Sequence, residues 1–256
     1  IAKPGAILET KPGYFQHDIE IAQTTIGGLP DLPINYEWPI STDGRPGIFF
    51  AQINLHDFAT LCKLYKLPDH GLLSFFYHGK VGSPIGVKRC TVLYFPDLET
   101  LSNCSPPTDD HTVLDPCPIN TRFALSLPNR LLDNTQIQFG LSDEGLTAYP
   151  SILKISRDLF GYSNSDSHTF LGYPGSRYRP ETLMAEYELG LQDLDASLKP
   201  EYIDDICAAA SEWQSLLYTS WEPNVGEKWL QYGIDFLIHQ SDISDGTFDY
   251  VEAFWS

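Results

Sequence analysis

The chain has 256 residues, of which 42% are hydrophobic and 13% aromatic, which suffices for a large core and excludes a disordered chain. It carries 34 acidic and 16 basic residues, a formal net charge of −18, so nucleic acid is a poor partner. Its apolar runs are far shorter than the roughly 20 residues that cross a bilayer, so we expect no membrane span.

The first 46 residues are rich in proline and glycine. They include GGLPDLP at Gly27 to Pro33 and the pair Trp38-Pro39, and such sequence favours extended chain and fixed turns. We expect an ordered segment that wraps around the core. The N-terminus has no sustained apolar region and does not resemble a secretory signal.

A strand, a helix and a second strand are predicted next. The sequence GIFFAQIN, residues 47–54, is short, aromatic and bounded by glycine, which is typical of a buried strand. GLLSFFY, residues 71–77, is the second strand. Between them Asn54 is a candidate N-cap and Pro68 ends the helix. Apolar residues recur in this helix at helical spacing: Phe58, Leu61, Cys62 and Tyr65.

The middle of the chain is predicted to consist of strands and loops. Three stretches look extended: Val87–Phe95, Thr121–Leu127 and Gly145–Pro150. The five cysteines form no CxxC pair and are odd in number, which favours reduced thiols over a zinc site or a disulfide framework. A bridge between Cys104 and Cys117, which bracket a proline-rich loop, is the less favoured alternative.

The C-terminal part repeats the earlier pattern. Pro200 opens an acidic helix, and strands are predicted at Trp213–Tyr218 and Gly233–His239. The helix has a buried stripe of Ile203, Ile206, Cys207 and Ala210. GIDFLIH can be laid over GLLSFFY, glycine on glycine. We therefore predict an internal duplication that relates about residues 47–95 to about residues 211–252 within one domain spanning 1–256.

These blocks together resemble the YwqG-like family of uncharacterised bacterial proteins. The blocks, in the family's order, are GGLPDLP, Trp38-Pro39, FFAQINLHDF, LPDHGLLSFFY, LGYP at Leu171 to Pro174, and the tail GIDFLI…DISDGTFDYV. The resemblance implies an α+β fold of two related β-rich halves, with a few helices, packed as a single globular unit. It also implies a cytoplasmic, bacterial setting and no established activity. The second half departs from the family, because Tyr218 stands where a glutamine matching Gln52 is usual.

The sequence contains no recognisable catalytic motif. It has no GxSxG elbow, no phosphate-binding glycine motif and no cysteine with a catalytic signature. His56, His70 and His78 cluster near the first strands, but they fit surface histidines better than catalytic ones. The densest metal-like group is Asp109-Asp110-His111, and adjacent loop residues rarely hold one ion alone. We therefore predict no catalytic residues, no cofactor and no metal.

Charge ranks the functional hypotheses. The last 76 residues hold 16 acidic residues and only Lys199 and Lys228, so they supply −14 of the net charge. We predict a non-catalytic protein-binding module, with an immunity or antitoxin-like role, whose acidic C-terminal face docks a basic protein. Trp221 and Glu222, in an expected loop, are candidate interface residues.

The alternative is a hydrolase or small-molecule-binding protein with a pocket between the two halves. Gln52, Asn54 and His56 are its candidate binding residues, close to the turn from Gly28 to Asp31.

Overall fold

Strands dominate the structure, a computed structural model. It describes residues 2–11, 13–79, 86–88, 90–108, 112–128, 141–160, 168–173, 180–191, 202–220 and 233–255. The strands of these residues are β1 (Lys3–Thr10), β2 (Thr25–Ile26), β3 (Asp31–Pro33), β4 (Ile48–Asn54), β5 (Leu72–Tyr77), β6 (Gly86–Lys88), β7 (Cys90–Phe95), β8 (Leu101–Asn103), β9 (Cys117–Ser126), β10 (His168–Phe170), β11 (Trp213–Thr219), β12 (Ile234–His239) and β13 (Glu252–Trp255).

The α-helices of the described residues lie between and after these strands. They are α1 (Ala59–Tyr65), α2 (Asp143–Phe160), α3 (Pro180–Glu188), α4 (Ile203–Ser211) and α5 (Gln240–Asp245). Short 3₁₀ helices occur at Gln16–Asp18 and Leu55–Phe58.

Eleven of the strands form one antiparallel sheet that is nearly closed. Their order is β6-β13-β12-β11-β10-β1-β9-β2-β4-β5-β7. β6 and β7 stand at opposite ends of this order, although only residue 89 separates them in the chain. The sheet therefore curls round until its ends meet, and with β6 and β7 counted as one strand it is a barrel-like sheet of ten strands. β3 and β8 form a separate two-stranded sheet.

The predicted α+β class is wrong. The described chain is mostly β, and its five helices are short additions to one nearly closed sheet rather than half of a balanced fold. The prediction missed strands of two or three residues, such as β2, β3, β8 and β10, because so few residues cannot display the alternation that marks a strand.

Aromatic side chains fill the inside of the sheet. The ring centroid of Phe236 on β12 lies 5.1 Å from that of Phe75 on β5 and 6.4 Å from that of Phe50 on β4. All three side chains are fully buried. Burying a phenylalanine contributes roughly 1.5–3 kcal/mol. These contacts therefore join strands that are far apart in the sheet order and hold the barrel together across its middle.

The predicted wrapping segment is confirmed only for its later part, because residues 3–10 form β1 inside the sheet, whereas the chain between β2 and β4 covers the outer face of β4 and β5. Trp38 packs edge-on against Phe76, with ring centroids 5.5 Å apart, and its indole N–H donates to the Gly47 carbonyl at 2.8 Å. Leu32 lies in the same buried cluster as Phe49. The outer face of this hairpin is thus a second, smaller core beneath the wrapping segment.

Several local predictions are confirmed. β4, β5, β11 and β12 lie where strands were predicted, and α4 follows the acidic helix pattern. The Asn54 side chain caps the 3₁₀ helix that leads into α1. Lys66 follows the last residue of α1 and has a left-handed φ of 61°.

The extended prediction for Gly145–Pro150 is wrong, because these residues belong to α2. The Ser142 hydroxyl accepts from the Gly145 N–H at 3.2 Å, and Asp143 and Glu144 occupy the first turn. Both features stabilise a helix start, and they outweigh the missing donor of Pro150 inside the helix.

The five cysteines are thiols, and Cys104 and Cys117 are not bridged. This confirms the prediction of reduced cysteines. Among the helices that the structure describes, none has the length and apolar character to cross a membrane.

Candidate functional site

A buried carboxylate organises the outer face of β4. Asp31, at the start of β3, is fully buried, and its Oδ2 accepts from the Ala22 N–H at 2.7 Å and from Gln52 Nε2 at 2.6 Å. Its Oδ1 accepts from Asn103 Nδ2 at 2.5 Å. Gln52 Oε1 in turn accepts from the Asp31 N–H at 3.0 Å, and Gln52 Nε2 also donates to the Gln23 carbonyl at 3.0 Å. We call this set the Asp31 network.

The network is saturated by the protein itself. Gln52 and Asp31 satisfy each other and the turn at residues 22–23, as buried polar groups must. Gln52, one of the predicted binding residues, therefore has a structural role: it connects β4 to the wrapping segment by hydrogen bonds. The Gln52 amide cannot bind a ligand without first losing these hydrogen bonds.

Asn54 has a similar role two residues further along β4. Its Nδ2 donates to the Ala22 carbonyl at 3.0 Å, and its Oδ1 accepts from the His56 N–H at 3.1 Å. His56 itself is exposed. The structure thus brings Gln52 and Asn54 to the same segment but leaves His56 pointing to solvent. The other two predicted residues, Trp221 and Glu222, lie outside the described residues.

The GGLPDLP motif makes the close approach that this arrangement needs. Gly27 and Gly28 have φ values of 71° and 79°, in the left-handed region that favours glycine. A Cβ on Gly27 would lie 2.2 Å from the Asp115 carbonyl oxygen. The Gly27 N–H donates to the Phe50 carbonyl at 2.8 Å. The motif is therefore a structural device that clamps the wrapping segment between β4 and the loop before β9.

A cavity of about 240 Å³ lies at the open end of the β4–β5 pair, opposite to α1, where Ile48 pairs with Tyr77; we call this the hairpin end. Among the described residues it is lined by Arg45, Pro46, Ile48, His78, Gly79, Thr108 and Thr112. Pro46 and Ile48 provide apolar surface, whereas Arg45, His78 and the two threonines provide polar groups. We call it the Arg45–His78 cavity. Its volume is somewhat below the roughly 300–1,000 Å³ of most small-molecule sites, so it suits a small ligand, and apolar walls with a few converging polar groups are typical of such sites.

His78 is held in place at the end of β5. Its Nε2 lies 2.7 Å from the Thr91 hydroxyl on β7, while Nδ1 is buried and has no hydrogen-bond partner among the described residues. The ring lies against Gly47, where a Cβ would come within 2.7 Å of Cε1. Burial lowers the pKa of His78, which outweighs the opposing effect of the Asp43 charge. The imidazole is therefore neutral at neutral pH.

Arg45 supplies the positive charge of the cavity. It closes a tight loop in which the Ser41 hydroxyl accepts from the Arg45 N–H at 3.1 Å. The guanidinium contacts Asp43 Oδ2 through Nε at 2.8 Å and through one terminal nitrogen at 2.5 Å. Hydrogen bonds from Arg45 and Ser41 lower the pKa of Asp43 to about 2. Both contacts use one edge of the guanidinium, so the N–H donors of its other edge are not used by Asp43.

Residues 24–256 match the domain of unknown function DUF1963. The chain belongs to the DUF1963 family. The prediction of membership in an uncharacterised family is thereby confirmed. No curated protein shows significant similarity to the chain.

Sequence reasoning found only part of this DUF1963 protein's candidate site. It noted His78 with His56 and His70, but only His78 of these three lines the cavity. It missed Arg45, Thr108 and Thr112. The Ser-Thr-Asp-Gly-Arg loop, residues 41–45, could have suggested a tight turn that presents an arginine. No local pattern connects that loop with residues 108 and 112.

Metal ligation has no support in the described part of the chain. No group of three or more histidine, cysteine, aspartate or glutamate side chains converges there. The Asp109-Asp110-His111 group lies outside the described residues.

Proposed function

We propose that this DUF1963 protein binds a small molecule in the Arg45–His78 cavity and does not transform it. The observation that carries the proposal is the cavity itself, which joins one cationic side chain, one neutral imidazole and two hydroxyls above apolar surface. The predicted alternative placed such a pocket beside Gln52, Asn54 and His56. The saturated Asp31 network favours the hairpin end instead.

The surroundings of His78 favour binding over nucleophilic catalysis. A hydroxyl nucleophile needs a histidine that is oriented by a further group on its second ring nitrogen. His78 contacts the Thr91 hydroxyl through Nε2, but in the described part of the chain no group orients its Nδ1. Thr91 is also absent from the cavity lining among the described residues. The pair therefore stabilises the cavity wall rather than forming a reactive couple.

A fragment screen tests this proposal. We would measure binding of neutral, anionic and cationic fragments of about ten non-hydrogen atoms by ligand-observed NMR. Thr108→Tyr should fill the cavity from its exposed rim and abolish binding. Val113→Tyr, an exposed position in the same loop that does not line the cavity, is the matched control. If no fragment binds the wild type, or if Thr108→Tyr leaves every binder unaffected, the proposal is wrong.

A second proposal is the predicted binding of a basic protein. Its support is a group of exposed carboxylates on α3, α4 and the turn after α4: Glu188, Asp204, Asp205 and Glu212. These helices pack on each other and on β11. Opposite charge speeds association and makes it sensitive to salt. Reversing Asp204 and Asp205 to lysine should remove any partner captured at low salt, and reversing Asp97, on the wrapping side, should not.

The finer assignments stay proposals. The immunity or antitoxin role is one form of the second proposal and has no separate support. The YwqG-like subgroup rests on the ordered sequence blocks, and a cytoplasmic setting is supported by cysteines that are all thiols.

A further inference from the structure

We propose that the ligand of the Arg45–His78 cavity is a small monocarboxylate with a short apolar body, held by the free edge of the Arg45 guanidinium. This inference rests on the proposed small-molecule function and names the class of its ligand. It follows from the donors left on Arg45, the charge count of the lining and the size of the space.

The donors of Arg45 select the headgroup. A guanidinium carries five N–H donors in a planar fork. Asp43 occupies Nε and one terminal nitrogen through a single oxygen atom, Oδ2. This contact fixes the plane of the guanidinium and leaves the opposite edge for a second acceptor pair. A planar carboxylate matches that edge with two parallel hydrogen bonds.

The charges of the cavity lining favour a ligand with a single negative charge. Arg45 is the sole cationic side chain in the described lining, because His78 is kept neutral by burial. Asp43 already compensates part of the arginine charge, and the protein as a whole carries −18. A phosphate dianion would bring a second charge without a second cation to meet it, so a monoanion fits better.

The remaining surface selects the body of the ligand. Pro46 and Ile48 offer apolar contact, and the Thr108 and Thr112 hydroxyls can hydrogen-bond the rim of the ligand. A cavity of about 240 Å³ corresponds to roughly eight water molecules at about 30 Å³ each. A body of a few carbon atoms, up to one aromatic ring, fits beside the carboxylate.

Three probes of equal shape and different charge test the inference. Benzoate, benzamide and benzamidine each have nine non-hydrogen atoms, and they are an anion, a neutral amide and a cation in turn. Dissociation constants would be measured by NMR titration of the full chain at fixed ionic strength, with inorganic phosphate as a fourth probe. We expect benzoate to bind most tightly of the four.

Two variants connect the preference to Arg45. Arg45→Gln should weaken benzoate binding about tenfold, because it removes the bidentate charged contact, and should leave benzamide binding nearly unchanged. Asp43→Asn should tighten benzoate binding several-fold, because it removes a negative charge close to the bound carboxylate while the amide oxygen can still accept from the guanidinium. Circular dichroism of both variants would verify that they are folded.

The outcomes separate this inference from the proposed function. If benzamide or benzamidine binds as tightly as benzoate, or if Arg45→Gln has no effect on benzoate, the carboxylate assignment is wrong while the binding site stands. Tighter binding of phosphate than of benzoate would overturn the choice of a monoanion. If none of the four probes binds and the broader fragment screen also fails, the proposed function is wrong as well.

Discussion

Replacing Asp31 by alanine tests whether the Asp31 network is a structural fastening. The change removes the acceptor of two buried donors, the Ala22 N–H and Gln52 Nε2, and of Asn103 Nδ2, which is exposed enough to turn to water. An unsatisfied buried donor costs about 1–3 kcal/mol, and Gln52 Nε2 keeps the Gln23 carbonyl as an acceptor. We therefore expect a loss of about 3 kcal/mol in the free energy of unfolding.

The assay is urea denaturation followed by tryptophan fluorescence, with thermal unfolding as a second readout. For a chain of this length a loss of that size corresponds to a fall in melting temperature of roughly 6–9 °C. Asp31→Asn keeps one acceptor oxygen and should lose about 1 kcal/mol. Asp245→Ala, at an exposed position, should stay within about 0.5 kcal/mol of the wild type.

An Asp31→Ala protein that is not destabilised would indicate that the Asp31 network serves function rather than stability. Polar groups kept for function are often held at the cost of stability, so their removal stabilises a protein. An Asp31→Ala protein as stable as the wild type, or more stable, would refute the structural interpretation. It would also make Gln52 a candidate binding residue again, with Asp31 beside it.

Three further predictions follow from glycine geometry, histidine burial and thiol burial. Gly27→Ala should lose more than about 3 kcal/mol of stability in urea denaturation, because its methyl group would meet the Asp115 carbonyl. Gly44→Ala is the control: its φ is 82° and nothing lies within 4 Å of its Cβ, so it should lose about 1 kcal/mol. Equal losses in the two variants would contradict the close approach at Gly27. Burial lowers the pKa of His78, so the unfolded chain takes up more protons below about pH 6.5 and stability falls as pH drops through that value. His78→Asn should flatten this slope in urea denaturation at several pH values, and an unchanged slope would contradict the burial of the imidazole. Burial, with a smaller effect from the Asp69 charge, raises the pKa of Cys62 to about 12. Iodoacetamide should therefore label the partly exposed Cys104 before Cys62. Equal labelling rates, measured by mass spectrometry, would contradict the burial of Cys62.

The predictable parts of the fold were those whose local signals agree with their tertiary environment. β4 is short, aromatic and bounded by glycine, and it lies in the core. α1 has an apolar face at helical spacing, a capping Asn54 before it and a proline after it. In both elements the residue propensities, the hydrophobic pattern and the residues that bound the segment indicate the same structure. Such agreement is what allows an element to be predicted from sequence.

β1 was not predicted, because Pro4 and Gly5 look like a turn. Both residues are in fact inside a strand of eight residues that pairs with β9 on one edge and β10 on the other. A Cβ on Gly5 would lie 2.9 Å from the Leu171 carbonyl oxygen. The glycine is therefore required by the close approach of another backbone, a reason that only the tertiary structure reveals.

The internal duplication stays a prediction, and one structural detail bears on it. The β4–β5 hairpin has an irregularity at Phe50, and the β11–β12 hairpin has one at Leu216. Counting from these bulges, Gln52 corresponds to Tyr218, as the sequence comparison proposed, whereas Ser74 corresponds to Asp235. The glycine-on-glycine alignment of Gly71 with Gly233 is then one residue out of register.

The location of the cavity explains why the family resemblance was silent about function. The blocks that carry the resemblance build the barrel and its clamp: the glycine turn holds β4, and the blocks at 49–58 and 67–77 are β4, α1 and β5. The polar groups of the cavity come from outside these blocks, at Arg45, His78, Thr108 and Thr112. A scaffold can keep its fastening residues while loops at a strand end change their chemistry. A ligand bound at this hairpin end would therefore be a property of this chain's loops, and a relative with other residues at these four positions should share the barrel and not the ligand.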